Sequence, residues 1–252
     1  MLAQARTVEQ IVTLAAGAQA LAEELIQEAK RRTHAPPVAC RAGCPWCCHL
    51  TVTTTVPEVI QISEYLKAAA GERAAGGLHI DTIDEYAECV RGLTLQQRAI
   101  RRLRCPIQDP DTAYCSLWPI RPLLCRSWTS ADLSKCRQAF YEPTRDIRAP
   151  VLRVQRDIAQ AIGAGIVAGS KAAGLEGGAV YLVDALQIAL AEPDAGSRWL
   201  AGEPVFEDAE VADQCLVVIE AGAGGLEAPR ATCPALTARC KSPISSVATR
   251  KV

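Results

Sequence analysis

The chain has 252 residues, enough to bury a sizeable core, and its hydrophobic (49%) and charged (22%) fractions are those of a globular protein. A formal net charge of −1 argues against a nucleic-acid binder, because such binding depends on an excess of clustered Lys and Arg. No apolar run approaches the roughly 18 residues needed to span a bilayer, and the compositional oddity is 12 cysteines against 3 histidines.

Residues 4–32 carry Ile11, Leu14, Ala15, Ala18, Leu21, Ala22 and Leu25 at three- and four-residue steps, which predicts an amphipathic helix stopped by Pro36 and Pro37. The segment ACRAGCPWCCHL follows as a turn-rich loop with Gly43 and Pro45. The β-branched run TVTTT at 51–55 fits a short extended segment. Thr55, Pro57 and Glu58 read as a helix start, with a hydroxyl at the cap, Pro in the first turn and an early acid. That helix is expected to run to about Ala70 on Val59, Ile60, Ile62 and Leu66. Asp81 or Asp84 is expected to cap the next, which reaches about Arg104 with a break at Gly92. Residues 105–130, rich in Pro, Cys and Trp, read as an irregular loop. A short helix over Ala131–Tyr141 contains Cys136. A long helix is expected from about Pro150 to Ala173, and another from about Ala179 to Leu190. Beyond Glu192 the periodicity weakens. The expected fold is therefore mostly α: a small helical domain over 1–191 with irregular cysteine-rich metal-binding loops, then a loosely ordered tail over 192–252.

The cysteines are grouped. Cys40, Cys44, Cys47 and Cys48 fall within nine residues; Cys105, Cys115, Cys125 and Cys136 follow at spacings of 10, 10 and 11. Cys89, Cys215, Cys233 and Cys240 stand apart, and Cys89 is expected to be buried in its helix. The segment Met1–Lys30 lacks a basic leader, and Glu9, Glu23 and Glu24 interrupt its apolar residues, so it does not read as a secretory signal. A cytoplasmic protein with thiols free to bind metal is the expectation. Thiolates are soft anionic ligands suited to zinc and to iron–sulfur clusters. The Cys47–Cys48 doublet adds a constraint, because adjacent side chains diverge by ~100° in a helix and about 180° in a strand. Either one of the pair is not a ligand, or the centre is polynuclear, or two centres lie side by side.

Arg121 and Arg126 flank Cys125 and are expected to offset thiolate charge and keep the thiol pKa values low. The run QQRAIRRLR, with Arg98, Arg101, Arg102 and Arg104, reads as a solvated helix face. His49 is a further candidate ligand or support. The glycines at 163, 165 and 169 lie within a helical pattern with no preceding strand, so they read as close helix packing and not as a nucleotide loop. The spacing of Cys40, Cys44 and Cys47 also matches that of radical enzymes using S-adenosylmethionine. Those need a β/α barrel, which this pattern lacks.

Together these motifs resemble a bacterial cysteine-cluster family described as a zinc- or iron-chelating domain. Its hallmark is CxxxCxxCC, then Cys-Pro, then C-x-x-(aromatic)-x-x-R-P-x-x-C-R. The matching positions are Cys40, Cys44, Cys47, Cys48, Cys105-Pro106, Cys115, Trp118, Arg121-Pro122 and Cys125-Arg126, with Ser130 and Cys136 following as in longer members. The resemblance covers about residues 38–140 and implies metal chelation. Flagellin lysine N-methylases carry a similar cysteine domain.

The expected function is metal binding through Cys40, Cys44, Cys47, Cys48, Cys105, Cys115, Cys125 and Cys136. Many sulfurs, no paired histidines, the Cys-Pro dipeptides and the doublet favour an iron–sulfur cluster of the 4Fe-4S type over zinc. The alternatives are a cluster-dependent protein-modifying enzyme resembling the lysine N-methylases, and a structural zinc adaptor. The expected partner is the metal ion or cluster, with no nucleic acid and no membrane; a protein partner is left open.

Overall fold

The computed structural model describes residues 2–72, 80–94, 97–98, 101–142 and 149–211. Helix α1 spans Val8–Thr33. It opens with a capping box, in which Thr7 Oγ1 accepts the Gln10 N–H and the Thr7 N–H donates to Gln10 Oε1 at 3.3 Å. It ends at His34, whose φ of 50° is left-handed, just ahead of Pro36. The buried stripe is Ile11, Ala15, Gln19, Ala22 and Ile26. Leu21 and Leu25, expected on that stripe, are 47% and 43% exposed. Each lies one position, about 100° of rotation, from the buried Ala22 and Ile26.

Strand β1, Thr53–Thr55, leads directly into α2, Val56–Glu72. The helix lies along α1, and the buried Gln19 Nε2 donates to Gln61 Oε1 at 2.8 Å between them. Helix α3, Ile80–Val90, ends at Gly92 with φ +69°, as the expected break requires. Asp81 and Asp84 lie inside α3 and do not precede it, and Asp84 accepts a hydrogen bond from Gln187 at 3.1 Å. The stretch 105–130, expected to be irregular, contains a 3-10 turn at Trp118–Ile120 and the short helix α4, Leu123–Ser127. Helix α5, Leu133–Tyr141, is capped by Asp132, whose Oδ1 accepts from the Ser134 and Lys135 N–H groups at 2.8 and 3.1 Å. Helix α6, Arg153–Ala172, packs on α1 and α4.

Three expected boundaries are displaced: the first helix opens at Val8 and not at residue 4, the third ends at Val90 and not near Arg104, and the last does not begin at Ala179. Residues Ala179–Tyr181 form β2, not the first turn of a helix; they pair antiparallel with β1 in the register Thr53 with Tyr181, Thr54 with Val180 and Thr55 with Ala179. Helix α7 then runs Leu182–Ala191 between α2 and α3. Periodicity within 179–190 cannot report a partner strand so distant in the chain.

The core gathers Ile11, Ile60, Ile62, Leu66, Leu186, Trp199 and Phe206, all fully buried. Packing continues past Glu192, because helix α8, Ala195–Leu200, carries Trp199 into the interior. Trp199 Nε1 donates to the Glu176 carbonyl at 2.9 Å, and the Glu176 carboxylate accepts the Phe206 N–H at 2.9 Å. Residues 212–252 of the expected tail, with Cys215, Cys233 and Cys240, lie outside the described residues.

Two readings are corrected here. Arg98 does not lie on a solvated face. It is buried, pairs with Asp184 at 2.6 Å and stands 4.2 Å over the Tyr181 ring, so it ties the segment after α3 to α7. Of the glycines at 163, 165 and 169, Gly169 alone makes a close approach: a Cβ there would come 3.1 Å from Leu2, while Gly163 and Gly165 face open space. The described chain is mostly helical, and none of its helices is long and apolar enough to cross a membrane.

Candidate metal centre

The eight cysteines at 40, 44, 47, 48, 105, 115, 125 and 136 are all free, half-buried thiols. Four separate pieces of chain deliver them. In the first, successive turns close through Cys44 N to Arg41 O, Cys48 N to Pro45 O and Leu50 N to Cys47 O, each at 3.1 Å. Gly43 takes φ +80° there, and a Cβ on it would meet the Thr112 carbonyl at 3.4 Å. Ahead of these turns, Cys40 is tied to Ser130, whose backbone N–H donates to Cys40 Sγ at 3.2 Å.

A hairpin delivers Cys105 and Cys115. Ser116 N bonds Ile107 O at 3.2 Å, Asp109 N bonds Tyr114 O at 2.8 Å, and Asp109 Oδ1 gathers the turn by accepting from the Thr112 N–H and hydroxyl at 2.7 Å each. The Cys105 N–H donates to the Cys48 carbonyl at 2.7 Å, which joins the hairpin to the first loop. Cys125 stands on α4, and Cys136 on α5.

Helix α4 is held by an acid that sequence reading noted only as a helix-start residue. Glu58 is 2% exposed; one of its carboxylate oxygens accepts from Thr54 Oγ1, Thr55 N and Thr55 Oγ1 at 2.8, 3.2 and 2.9 Å. The other accepts the Leu123 N–H at 2.7 Å. The available sequence signal was an acid in an apolar helix face, three and four residues after Thr55 and Thr54, whose hydroxyls could satisfy it.

Cys44, Cys47, Cys48, Cys105, Cys115 and Cys125 line one cavity, with Arg41, Arg121 and apolar walls that include Leu50, Val52, Ile107, Leu117 and Leu182. Among the described residues, no three Cys, His, Asp or Glu side chains are grouped closely enough to hold a metal ion as they lie. The thiols ring the cavity and do not meet at a point. Their donor chemistry fits a thiophilic metal, and binding would draw sulfurs inward from the wall.

The two arginines of the motif do different work. The Arg121 guanidinium stacks on the Trp118 ring at 3.6 Å, and its buried Nε has no hydrogen-bond partner. Its charge favours the thiolate at Cys40, Cys47, Cys115 and Cys125. Arg126 faces the chain itself: its Nε donates to the Arg121 carbonyl at 2.7 Å and its terminal nitrogen to the Pro119 carbonyl, bracing the Arg-Pro turn.

The expectation of low thiol pKa values is overturned. Burial pushes Cys40, Cys44, Cys115, Cys125 and Cys136 up, and pushes Cys105 up to about 12. Cys47 is raised first by its hydrogen bond with Cys48 and then by burial. Arg121 acts in the expected direction, but one cation does not offset the removal of so many thiols from water.

The remaining candidates fall outside the cavity wall. His49 Nδ1 bonds the Arg102 carbonyl at 3.0 Å, its ring lies 4.5 Å from Phe140, and burial holds its pKa below the ordinary range. Arg102 in turn donates to the Phe140 carbonyl, linking the first loop to α5. Cys89 is half-buried on α3, not fully buried, and is disulfide-bonded.

Residues 39–142, which include all eight of these cysteines, match a family model described as "CxxCxxCC: Putative zinc- or iron-chelating domain". No curated protein and no solved structure matches the chain.

Proposed function

From a chain whose residues 39–142 carry a zinc- or iron-chelating CxxCxxCC domain, we propose a thiolate metal protein with Cys40, Cys44, Cys47, Cys48, Cys105, Cys115, Cys125 and Cys136 as ligands and iron–sulfur as the form of its metal. The supporting observation is that Cys47 and Cys48 both line the cavity that Cys105, Cys115 and Cys125 also line. Two adjacent thiols serve a single tetrahedral ion poorly, because their side chains diverge. A set that uses both suits a polynuclear centre, which spreads its ligand positions over several metal atoms.

The residues' own part is to gather, orient and shield. Burial keeps the thiols protonated until a metal displaces the protons, so binding releases protons and strengthens as pH rises. Arg121 meets the negative charge that then develops, and the apolar wall keeps water from the sulfurs. When bound, an iron–sulfur centre supplies one-electron redox chemistry, or an open iron for a substrate.

Anaerobic purification followed by metal and acid-labile sulfide analysis tests this reading. Iron with comparable sulfide is the expected result. Stoichiometric zinc without sulfide would overturn the iron–sulfur assignment, and a chain free of metal would overturn metal binding.

A further inference from the structure

Arginines drawn out of water in this chain are spent on a partner. Arg98 is paired with Asp184, Arg102 donates to the Phe140 carbonyl, and Arg126 donates to the carbonyls of Arg121 and Pro119. Arg121 is the exception. Its buried Nε has no hydrogen-bond partner, and no Asp or Glu pairs with it among the described residues. The Trp118 ring covers one face of the guanidinium at 3.6 Å. The N–H groups lie in the guanidinium plane, so stacking leaves them still to be satisfied. A buried charged donor without an acceptor is costly to keep.

Arg121 and Trp118 line the same cavity as the thiols, with a second cation, Arg41, and no Asp or Glu on its wall. Most of the remaining wall is apolar, including Leu50, Ile107, Leu124 and Leu182. Offsetting thiolate charge calls for a cation, which a lysine would supply as a point charge. A stacked fork of donors adds a geometry that suits the two oxygens of a carboxylate. The apolar wall suits a hydrocarbon body beside it.

We propose that the cavity binds a small monocarboxylate, with its carboxylate on the Arg121 guanidinium and its hydrocarbon body against Leu50, Ile107, Leu124 and Leu182. This rests on the metal-binding reading and deepens it, because a ligand held there lies against the sulfurs that carry the metal and is placed as the substrate of an open metal position. The site itself is built from Arg121, Trp118 and the apolar wall.

The test is calorimetric titration of the full-length protein, purified anaerobically, with butyrate, butyramide and inorganic phosphate, and with metal content measured on the same batch. Butyrate is expected to bind, and butyramide, which keeps the shape but loses the charge, to bind at least about tenfold more weakly. Phosphate, which carries charge without an apolar body, is expected to bind more weakly than butyrate. In Arg121→Lys, which keeps a cation but removes the fork, butyrate affinity should fall about tenfold. If that variant fails to fold by circular dichroism, the three-ligand comparison on the wild-type chain still decides. No butyrate binding, equal binding of butyramide or phosphate, or undiminished butyrate affinity in folded Arg121→Lys overturns the proposal. A wild-type batch that binds butyrate but holds no metal overturns the metal-binding reading instead, so the two failures are distinguishable.

Discussion

The Glu58 carboxylate accepts the Leu123 N–H at 2.7 Å, so an acid in the first turn of α2 sets the first turn of α4, which presents Cys125. Glu58→Ala leaves the Leu123 and Thr55 N–H groups buried without an acceptor. It is expected to destabilise the chain by about 2–4 kcal/mol and to lower metal retention. Glu58→Gln keeps one acceptor oxygen, which can serve one end of the bridge, and should cost less. Urea unfolding of both variants, with their metal content, measures the difference; an unchanged midpoint in Glu58→Ala defeats the bridging role.

Arg121 and Arg126 separate charge from support. Arg121→Met removes the cation beside Cys40, Cys47, Cys115 and Cys125 and is expected to weaken metal affinity about tenfold, or ~1.4 kcal/mol, with a small effect on the metal-free fold. Arg126→Met releases the carbonyls of Arg121 and Pro119 and should lower stability by about 1–3 kcal/mol. Chelator competition and thermal melts on both variants read the two effects. Equal affinity losses in the two would remove the distinction.

Stability of the metal-free, reduced chain should fall on the alkaline side. A thiol whose pKa is raised by folding stays protonated after the unfolded chain has begun to ionise near pH 8.5. Its stabilising contribution is complete below about pH 8.5 and is lost as pH rises toward the folded value, about 12 for Cys105. His49 acts at the other end. Its pKa is lowered by burial, so the folded chain loses stability as pH falls below the ordinary imidazole value near 6.5. The urea midpoint of metal-free protein is therefore expected to peak between about pH 6.5 and 8.5. The metal-loaded form, with its ligands already deprotonated, should lose the alkaline limb and release metal on acidification. A metal-free midpoint that rises between about pH 8.5 and 10 would contradict the assignment.

The Arg98–Asp184 pair stands behind the site and is not part of it. With side chains 7% and 16% exposed, it spans the segment after α3 and the first turn of α7. Arg98→Ala strands a buried carboxylate and is expected to destabilise by about 3 kcal/mol. Metal stoichiometry in the folded fraction should be unchanged. Loss of metal at full stability would mean that this arginine belongs to the centre.

How much of this was legible depended on whether the signal was local. Gly92 and Pro36 punctuate helices through groups within a few residues, and those boundaries lie near where the sequence puts them, whereas α1 opens at Val8 behind the Thr7 cap, four residues after its expected start. The start of α7 was misread because Ala179–Tyr181 take their conformation from Thr53–Thr55. Arg98 looked solvated because the arginine run carries no mark of Asp184. Leu21 and Leu25 were assigned to a buried face by hydropathy, while the packing of α2 and α6 on α1 selected the stripe beside them.

The sequence by itself determined the ingredients: twelve cysteines, eight of them in a recognisable spacing, and an Arg-Pro turn ending in Cys-Arg. These are properties of the covalent chain, visible without a fold. Only the tertiary structure decided which arginine faces the thiols, that Ser130 ties down Cys40, that Cys47 and Cys48 share a cavity, and that Glu58 carries α4. Each of those depends on contacts between distant segments. Burial, which overrode the expected low thiol pKa values, is likewise a property of the packed chain and not of any segment alone.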